Sequence, residues 1–586
     1  MKPVKKQATK KQPTKKVIQK KRSPKTVDVP REDVPIPKLV QEVMATQPKS
    51  DPELENPIYK NSNALLVIAL VLGWMFDNLF WKKDIGINFP IFLVLCLLGG
   101  GYWLFSNKIR PAKNSVWLLV PLLFFSVFTI IRQEPLTVFL GFTFALFSVG
   151  LFATSYMGGH WTQYGFGNYI NKFFLLIGDV LTGLLLYAPR ARKVQIESVT
   201  GQKSFTIWAL LRGLAIALPI VACFGSLLAA GDVVFERKLD DLLNLEDLSD
   251  NIFRGILILI YAYLLAGVFI HSAWKSKDEK LNGEHIPTVK PFLGFAESTV
   301  ILGSVIILFI AFVVVQFQYF FGGQANIGVD GYTYSQYARR GFNELIAVAF
   351  LSLILSIVLS TIVRREMDTQ KRIFSGLNIA TVALVMVILV SAYQRISLSI
   401  WWHGFSRLRL YPRIFLIWLA VLLIAVVALE VTQRQRHFTL ALVFAAMGFA
   451  VSITLVNIDA AIIKHNVPRT LQGKNLNVAH LASLSDDSVP ALVDEFRSSS
   501  YPEWVHEGVG AALVCYLHFD NYDDSVKDWR SFNLSQWQAH SMLQGIEREI
   551  QNYSVDAKQR WNVKVRTPHN VWYECEDYDA ANDNEN

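Results

Sequence analysis

The chain has 586 residues, 52% of them hydrophobic and 18% charged, against about a quarter charged in ordinary soluble domains. The formal net charge of +9 is uneven, because residues 1–25 hold ten Lys, one Arg and no acid, which leaves −2 for the rest. That distribution argues against a nucleic-acid-binding fold, and four cysteines with no CxxC or Cys/His cluster argue against zinc or an iron–sulfur centre.

Residues 1–60 read as a disordered, lysine-rich cytoplasmic tail, too polar to build a core. It offers no helical stripe long enough to matter, although 38–44 could form a short amphipathic piece. The first apolar run starts only after about sixty polar residues, which is not the pattern of a cleavable signal peptide. Tail lysines beside a bilayer attract anionic lipid headgroups at about 1 kcal/mol each.

From 61 to 457 the apolar runs are the length that crosses about 30 Å of hydrocarbon. They predict about eleven transmembrane helices, near 62–80, 88–106, 115–131, 135–155, 205–230, 252–273, 297–321, 339–362, 375–397, 411–430 and 438–457. Trp74, Trp81, Trp103, Trp117, Trp208, Trp274, Trp401 and Trp402 mark their ends as interfacial anchors.

The segment 173–187 is ambiguous, being about 15 residues long with Asp179 inside it. Loop charge arbitrates. If it does not span, the cytoplasmic loops carry 18 Lys and Arg and the opposite loops 10. If it spans, the bias reverses, so the positive-inside rule places the segment in the interface or makes it re-entrant. The N-terminus is then cytoplasmic and everything after 457 is extracytoplasmic.

Residues 458–586 form a soluble portion, acidic from 459 onward with 20 acids against 11 Lys and Arg. Ser485-Asp486-Asp487-Ser488 starts a helix with Pro490 in its first turn, a second helix runs over 508–519, and Asn533-Leu534-Ser535 caps a third through 550. The alternation at 560–566 and 571–576 predicts two short strands. The fold class expected is therefore an α-helical polytopic membrane protein with a small, helix-rich α+β C-terminal domain. An outside location would permit a disulfide between Cys515 and Cys575; two unpaired thiols are the alternative.

Three ordered motifs resemble a bacterial membrane family known as domain of unknown function 4173, a relative of domain of unknown function 4153. They are Tyr337-Ala338-Arg339-Arg340-Gly341-Phe342-Asn343-Glu344-Leu345, the segment LASLSDDSVPAL at 481–492, and DWRSFNLS at 528–535. The likeness spans roughly 62–566. It implies a bacterial multi-pass protein with a C-terminal soluble portion, and no activity.

Several polar groups stand out as candidate functional residues. With a helix starting near Ser335, Arg340 and Glu344 form an i,i+4 pair beside Arg339 and Tyr337. Functionally this is a gate or an anionic-ligand clamp at the outer mouth; structurally it is an interfacial anchor with a salt bridge. Arg212, Arg254, Asp77 and Asp179 lie at or near membrane depth, where a buried pair would be structural or ion-coupling. Pro219 could break the Arg212 helix as in transporters. Snorkelling arginines and interfacial acids are the plainer account. The loop 158–167 (GGHWTQYGFG), with His160, Trp161 and Tyr164, could cradle a lipid headgroup or substrate, or simply be compact and anchored by its aromatics.

No GxxxxGK[ST], GxSxG, HExxH or strand-to-helix GxGxxG occurs, and nothing calls for a cofactor or a metal. The short loop 82–88 holds a single acid, unlike the acid pair typical of membrane glycosyltransferases. The expected role is a non-enzymatic cell-envelope sensor, binding or scaffolding protein whose partners are the bilayer, anionic lipid and an envelope protein. A secondary transporter is the alternative, and an enzyme acting on a lipid-linked substrate the third.

Overall fold

The computed structural model describes residues 61–198, 246–277, 291–321, 342–434, 437–519, 528–557 and 563–575, with five isolated positions between 221 and 232. Helix α1 is Ser62–Phe80, α2 Asn88–Ser106, α3 Lys113–Ile131, with an irregular turn at Trp117 and Leu118, and α4 Pro135–Ser155. Helix α5 is Phe166–Ser198, α6 Glu246–Trp274, α7 Phe295–Phe321, α8 Phe342–Ile362, α9 Asp368–His403, α10 Arg407–Val431 and α11 Phe438–Leu455. Among the described residues, 11 helices are long and apolar enough to cross a membrane. Helix is the form such runs must take, since hydrocarbon offers their backbone groups no partner. The chain is an α-helical polytopic membrane protein.

Ten of the eleven coincide with expected spans. The exchange is instructive: the span expected at 205–230 falls outside the described residues except for isolated helical positions, whereas α5, covering 173–187, has the length and apolarity of a span.

Arg254 near the start of α6 pairs with Asp77 near the end of α1, and Ser276 after α6 bonds Met157 and Gly158 after α4. Antiparallel neighbours of this kind define two faces. The first face holds residue 61 and the ends of α4, α6, α8 and α10; the second holds the ends of α1, α3, α9 and α11. The start of helix α5 reaches the first-face loop, where the Tyr169 hydroxyl donates to the Trp161 carbonyl at 2.8 Å. Its middle crosses α6 at Gly267, where an added Cβ would stand 2.7 Å from Val180 Cα. Farther along, Arg190 lies 4.8 Å from the Trp274 ring, back at the first face. These contacts hold α5 against the first-face loop and the first-face half of α6.

Among the described residues, two larger apolar cores and three smaller ones fill the bundle. One large core packs α1, α2, α5 and α6 around Leu65, Trp103, Tyr187 and Phe269. The other large core packs α7 to α11 around Ala349, Val385, Ile388 and Leu422.

After α11 come α12 (Ile458–Asn466), α13 (Val478–Ala482), α14 (Val489–Arg497), α15 (Glu503–Phe519) and α16 (Leu534–Ile546). Helix α15 starts five residues before the expected 508, and α16 ends four before the expected 550. The sheet has three antiparallel strands rather than two: β1 (Ser554–Asp556), β2 (Lys564–Arg566) and β3 (Trp572–Glu574). Strand β1 has only three residues, too few for alternation to show in the sequence. The core of this C-terminal unit, including Leu492, Val509, Leu513 and Val565, is continuous with Leu410 of α10 and Ile453 of α11.

Candidate functional site

The C-terminal unit sits on the second face, and the richest set of buried charges in the described residues lies at that seam. At the α3–α4 turn, Arg132, Gln133 and Glu134 leave the membrane. Glu134 caps α4, accepting from Leu136 N at 2.9 Å and from Thr137 N at 2.7 Å and Oγ1 at 2.6 Å. Such a cap supplies partners to the orphan N–H groups of a helix start. The same carboxylate accepts the Tyr411 hydroxyl of α10.

From the other side, Asp487 takes the free N–H groups of this turn, Gln133 at 3.0 Å and Glu134 at 2.9 Å. Asp487 is buried, with Arg132 Nη1 3.9 Å away. Burial pushes its carboxyl up from the ordinary value; Ser535, the two N–H groups and Arg132 only partly oppose this. Close by, Asn533 donates to the carbonyls of Thr129 and Arg132 at 3.0 and 3.1 Å while capping α16 through its Oδ1.

A second clamp joins α10 to α12. Asp459 has no exposed surface; it takes Arg407 Nε at 2.8 Å and Nη2 at 2.5 Å, plus Ser485 N at 2.8 Å and Oγ at 2.6 Å. With four donors the carboxylate is fully committed, the condition under which a buried pair repays its desolvation. Beside it, Asn466 accepts from Phe405 N and donates to Phe405 O, both at 2.8 Å, and Arg469 donates to the carbonyls of Trp401 and Trp402 at 2.6 and 3.0 Å.

At the α1–α2 turn the contact is backbone on backbone. Ile87 N donates to Phe532 O at 3.0 Å, and a Cβ on Gly86 would stand 2.6 Å from that oxygen. Only glycine admits this approach. Asp528 pairs with Lys83 at 2.8 Å and Arg530 at 2.5 Å, and those cations hold its carboxyl well below the usual range. Arg530 also reaches the Asn78 carbonyl at 2.6 Å.

Two of the motifs that carried the family resemblance are thus docking segments. LASLSDDSVPAL supplies Ser485 and Asp487; DWRSFNLS supplies Asp528, Arg530, Phe532 and Asn533. Sequence reasoning took Asp487 and Asn533 for local caps and did not single out Asp459 or Glu134. The available signal was position, since each of the four lies at a span end or in a motif.

The other candidate residues fall as follows. Arg212, Tyr337, Arg339 and Arg340 lie outside the described residues, and Glu344 is exposed in the first turn of α8. Asp77 and Arg254 are brought together at the second face, at 2.7 Å (Nη2) and 3.0 Å (Nε). Asp179 is buried at the first-face end, 2.8 Å from His271 Nδ1 and 2.6 Å from Lys275 Nζ. His271, itself buried, was not anticipated, because one histidine in an apolar run carries no partner information. Cys515 and Cys575 are joined by a disulfide that ties α15 to the segment after β3. Among the described residues no cluster of His, Cys, Asp or Glu has the arrangement of a metal site.

The family model described as Domain of unknown function (DUF4153) matches residues 119–495, which takes in both α3–α4 and the Asp487 clamp. No curated protein and no solved structure matches the chain.

Proposed function

The chain belongs to the DUF4153 family, and on that footing we propose that it is a non-enzymatic binding or scaffolding protein of the bacterial inner membrane. In this reading residues 1–60 are a cytoplasmic tail that meets anionic headgroups, the bundle over 61–457 is an anchor, and the unit over 458–586 stands outside the cytoplasm. The observation that carries it is the seam. Asp459, Asp487, Asn533 and Phe532 fix the C-terminal unit to three separate turns of the bundle, so it presents one surface rigidly while bonded to the helices beneath. The Cys515–Cys575 disulfide suits an oxidising compartment, and the loop-charge bias supports a cytoplasmic first face.

Trp504, Trp537 and Trp572 are each about half exposed on this unit, and exposed aromatics of this kind are enriched in binding surfaces. A photo-crosslinker at each of the three positions, in intact cells expressing the full chain, should give a discrete envelope adduct from at least one. A reporter fused after Asn586 should be active only outside the cytoplasm. Activity confined to the cytoplasm, or no adduct at any position, overturns the reading.

A secondary transporter is the second reading, favoured by the buried Asp179–His271 pair, since ionisable groups at membrane depth mark ion pathways. A proton flux in proteoliposomes that Asp179→Asn abolishes would put it first.

A further inference from the structure

Helix α5 and its neighbours line an open apolar groove of about 340 Å³, at the small end of the roughly 300–1,000 Å³ of ligand pockets. One wall is a helical stripe of α5, with Phe166, Tyr169, Ile170, Phe173, Phe174 and Ile177 at spacings of three and four. The other walls are Phe147 of α4 and Thr439, Leu442 and Val443 of α11. Apart from the Thr439 and Tyr169 hydroxyls, these side chains offer no polar group.

Depth restricts the occupant. Phe147 lies eight residues before the first-face end of α4, about 12 Å down at 1.5 Å per residue, and Thr439 starts α11 on the same face. The space is therefore inside the hydrocarbon of the first-face leaflet. Phe166, Phe174 and Ile177 at its rim are 57%, 68% and 54% exposed, so it opens sideways to the bilayer.

Charge selects the headgroup. Lys172 follows from the same turn of α5, its Nζ 5.7 Å from the centre of the buried Tyr164 ring, which in turn stacks edgewise on Tyr169 of the pocket at 5.5 Å. The loop 158–167 closes over this end, with Trp161 donating to the Asn114 carbonyl at 2.9 Å next to Lys113. The Lys172 ammonium beside an apolar slot is the complement of an anionic phospholipid: charge at the surface, chain in the pocket.

We infer that this pocket is a specific site for one acyl chain of an anionic phospholipid of the first-face leaflet. Helix α5 is its lid and Lys172 its headgroup contact. The inference is independent of the proposed function.

The full-length protein, reconstituted in phosphatidylcholine vesicles with or without phosphatidylglycerol, would be irradiated with a diazirine placed in the acyl chain of each lipid in turn. Labelling by phosphatidylglycerol should concentrate in 166–177 and 439–443. Val443→Trp, or Thr439→Phe if that variant does not fold, should lower it about tenfold, a change of 1.4 kcal/mol. Leu185→Trp, on an exposed part of α5 outside the pocket, should leave it unchanged. Lys172→Glu should remove the preference for phosphatidylglycerol over phosphatidylcholine. Label spread evenly over exposed positions such as Phe139, Ile307 and Leu351, or undiminished in the filled pocket, overturns the site. A preference that survives Lys172→Glu overturns the headgroup assignment.

Discussion

On the second face of the bundle, turns between helices are covered by protein, and their polar groups meet carboxylates, amides and carbonyls of the C-terminal unit. On the first face, the long helix α5 packs on the bundle with phenylalanine, isoleucine and leucine turned outward; Asp179 meets His271 and Lys275, while Lys172 and Arg190 rest on aromatic rings. The contrast follows from the solvent each face was built for. A turn capped by protein loses water and must regain every hydrogen bond, so buried carboxylates accumulate there. A helix facing hydrocarbon has its backbone satisfied internally and needs only apolar side chains. Docking on the second face is directional and intolerant; packing on the first is greasy and forgiving.

The sharpest way to break this comparison is to remove the most committed carboxylate. Asp459→Ala leaves Arg407 in the seam without its partner and Ser485 without its acceptor. Breaking one side of a buried pair costs about 3–5 kcal/mol, so the unfolding midpoint should fall steeply, with proteolysis appearing between 458 and 575. An equally large loss from Asp77→Ala would erase the distinction, because Arg254 is about a third exposed and keeps access to water and headgroups when unpaired.

How much of this was legible follows the same divide. Span positions could be read because a crossing helix needs only length and apolarity, both local properties. The loop bias, a sum over the whole chain, argues from charge that 173–187 does not cross, whereas the length and apolarity of α5 are those of a span. The seam could not. Asp487 and the Gln133 and Glu134 amides it binds are more than 350 residues apart, and an acid between two serines before Val489-Pro490 has a sufficient local explanation as a helix start. Asn533 shows why such explanations mislead, for it both caps α16 and docks onto Thr129 and Arg132. The pairing of Asp77 with Arg254 was equally hidden, since four intramembrane charges allow several pairings.

A smaller effect tests whether the seam is intolerant in shape as well as charge. Gly86→Ala places a methyl 2.6 Å from the Phe532 carbonyl and 2.7 Å from Ser531. Backbone must shift to admit it, at about 1–3 kcal/mol, and the Ile87–Phe532 hydrogen bond should exchange faster with deuterium. The same change at Gly101, which has open space around it, should be neutral or slightly stabilising, because alanine favours helix. If the two variants unfold alike, close approach at the α1–α2 turn does not hold the unit in place.

The smallest expected effect lies on the C-terminal unit away from the seam, where the exposed His569 ring meets the buried carboxylate of Glu507. His569 Nδ1 lies 2.6 Å from Glu507, and its Nε2 lies 3.6 Å from Glu503. The Glu507 hydrogen bond, with both glutamate charges, raises the imidazole above its ordinary value. Burial alone would raise Glu507, but the hydrogen bonds from His569 and Thr567 outweigh it and hold the carboxyl low. For a histidine so raised, the folded state binds the extra proton. Its stabilisation is therefore complete below the unfolded value of about 6.5 and is lost as pH rises through the higher folded value. The difference in melting temperature between wild type and His569→Gln should be small and positive at acidic pH and vanish above neutrality, and salt should diminish it. A difference that instead grows with pH would mean that His569 acts as a neutral acceptor. The unit would then carry a second buried-type clamp, and the division between a polar, exacting seam and an ordinary outer surface would have to be redrawn.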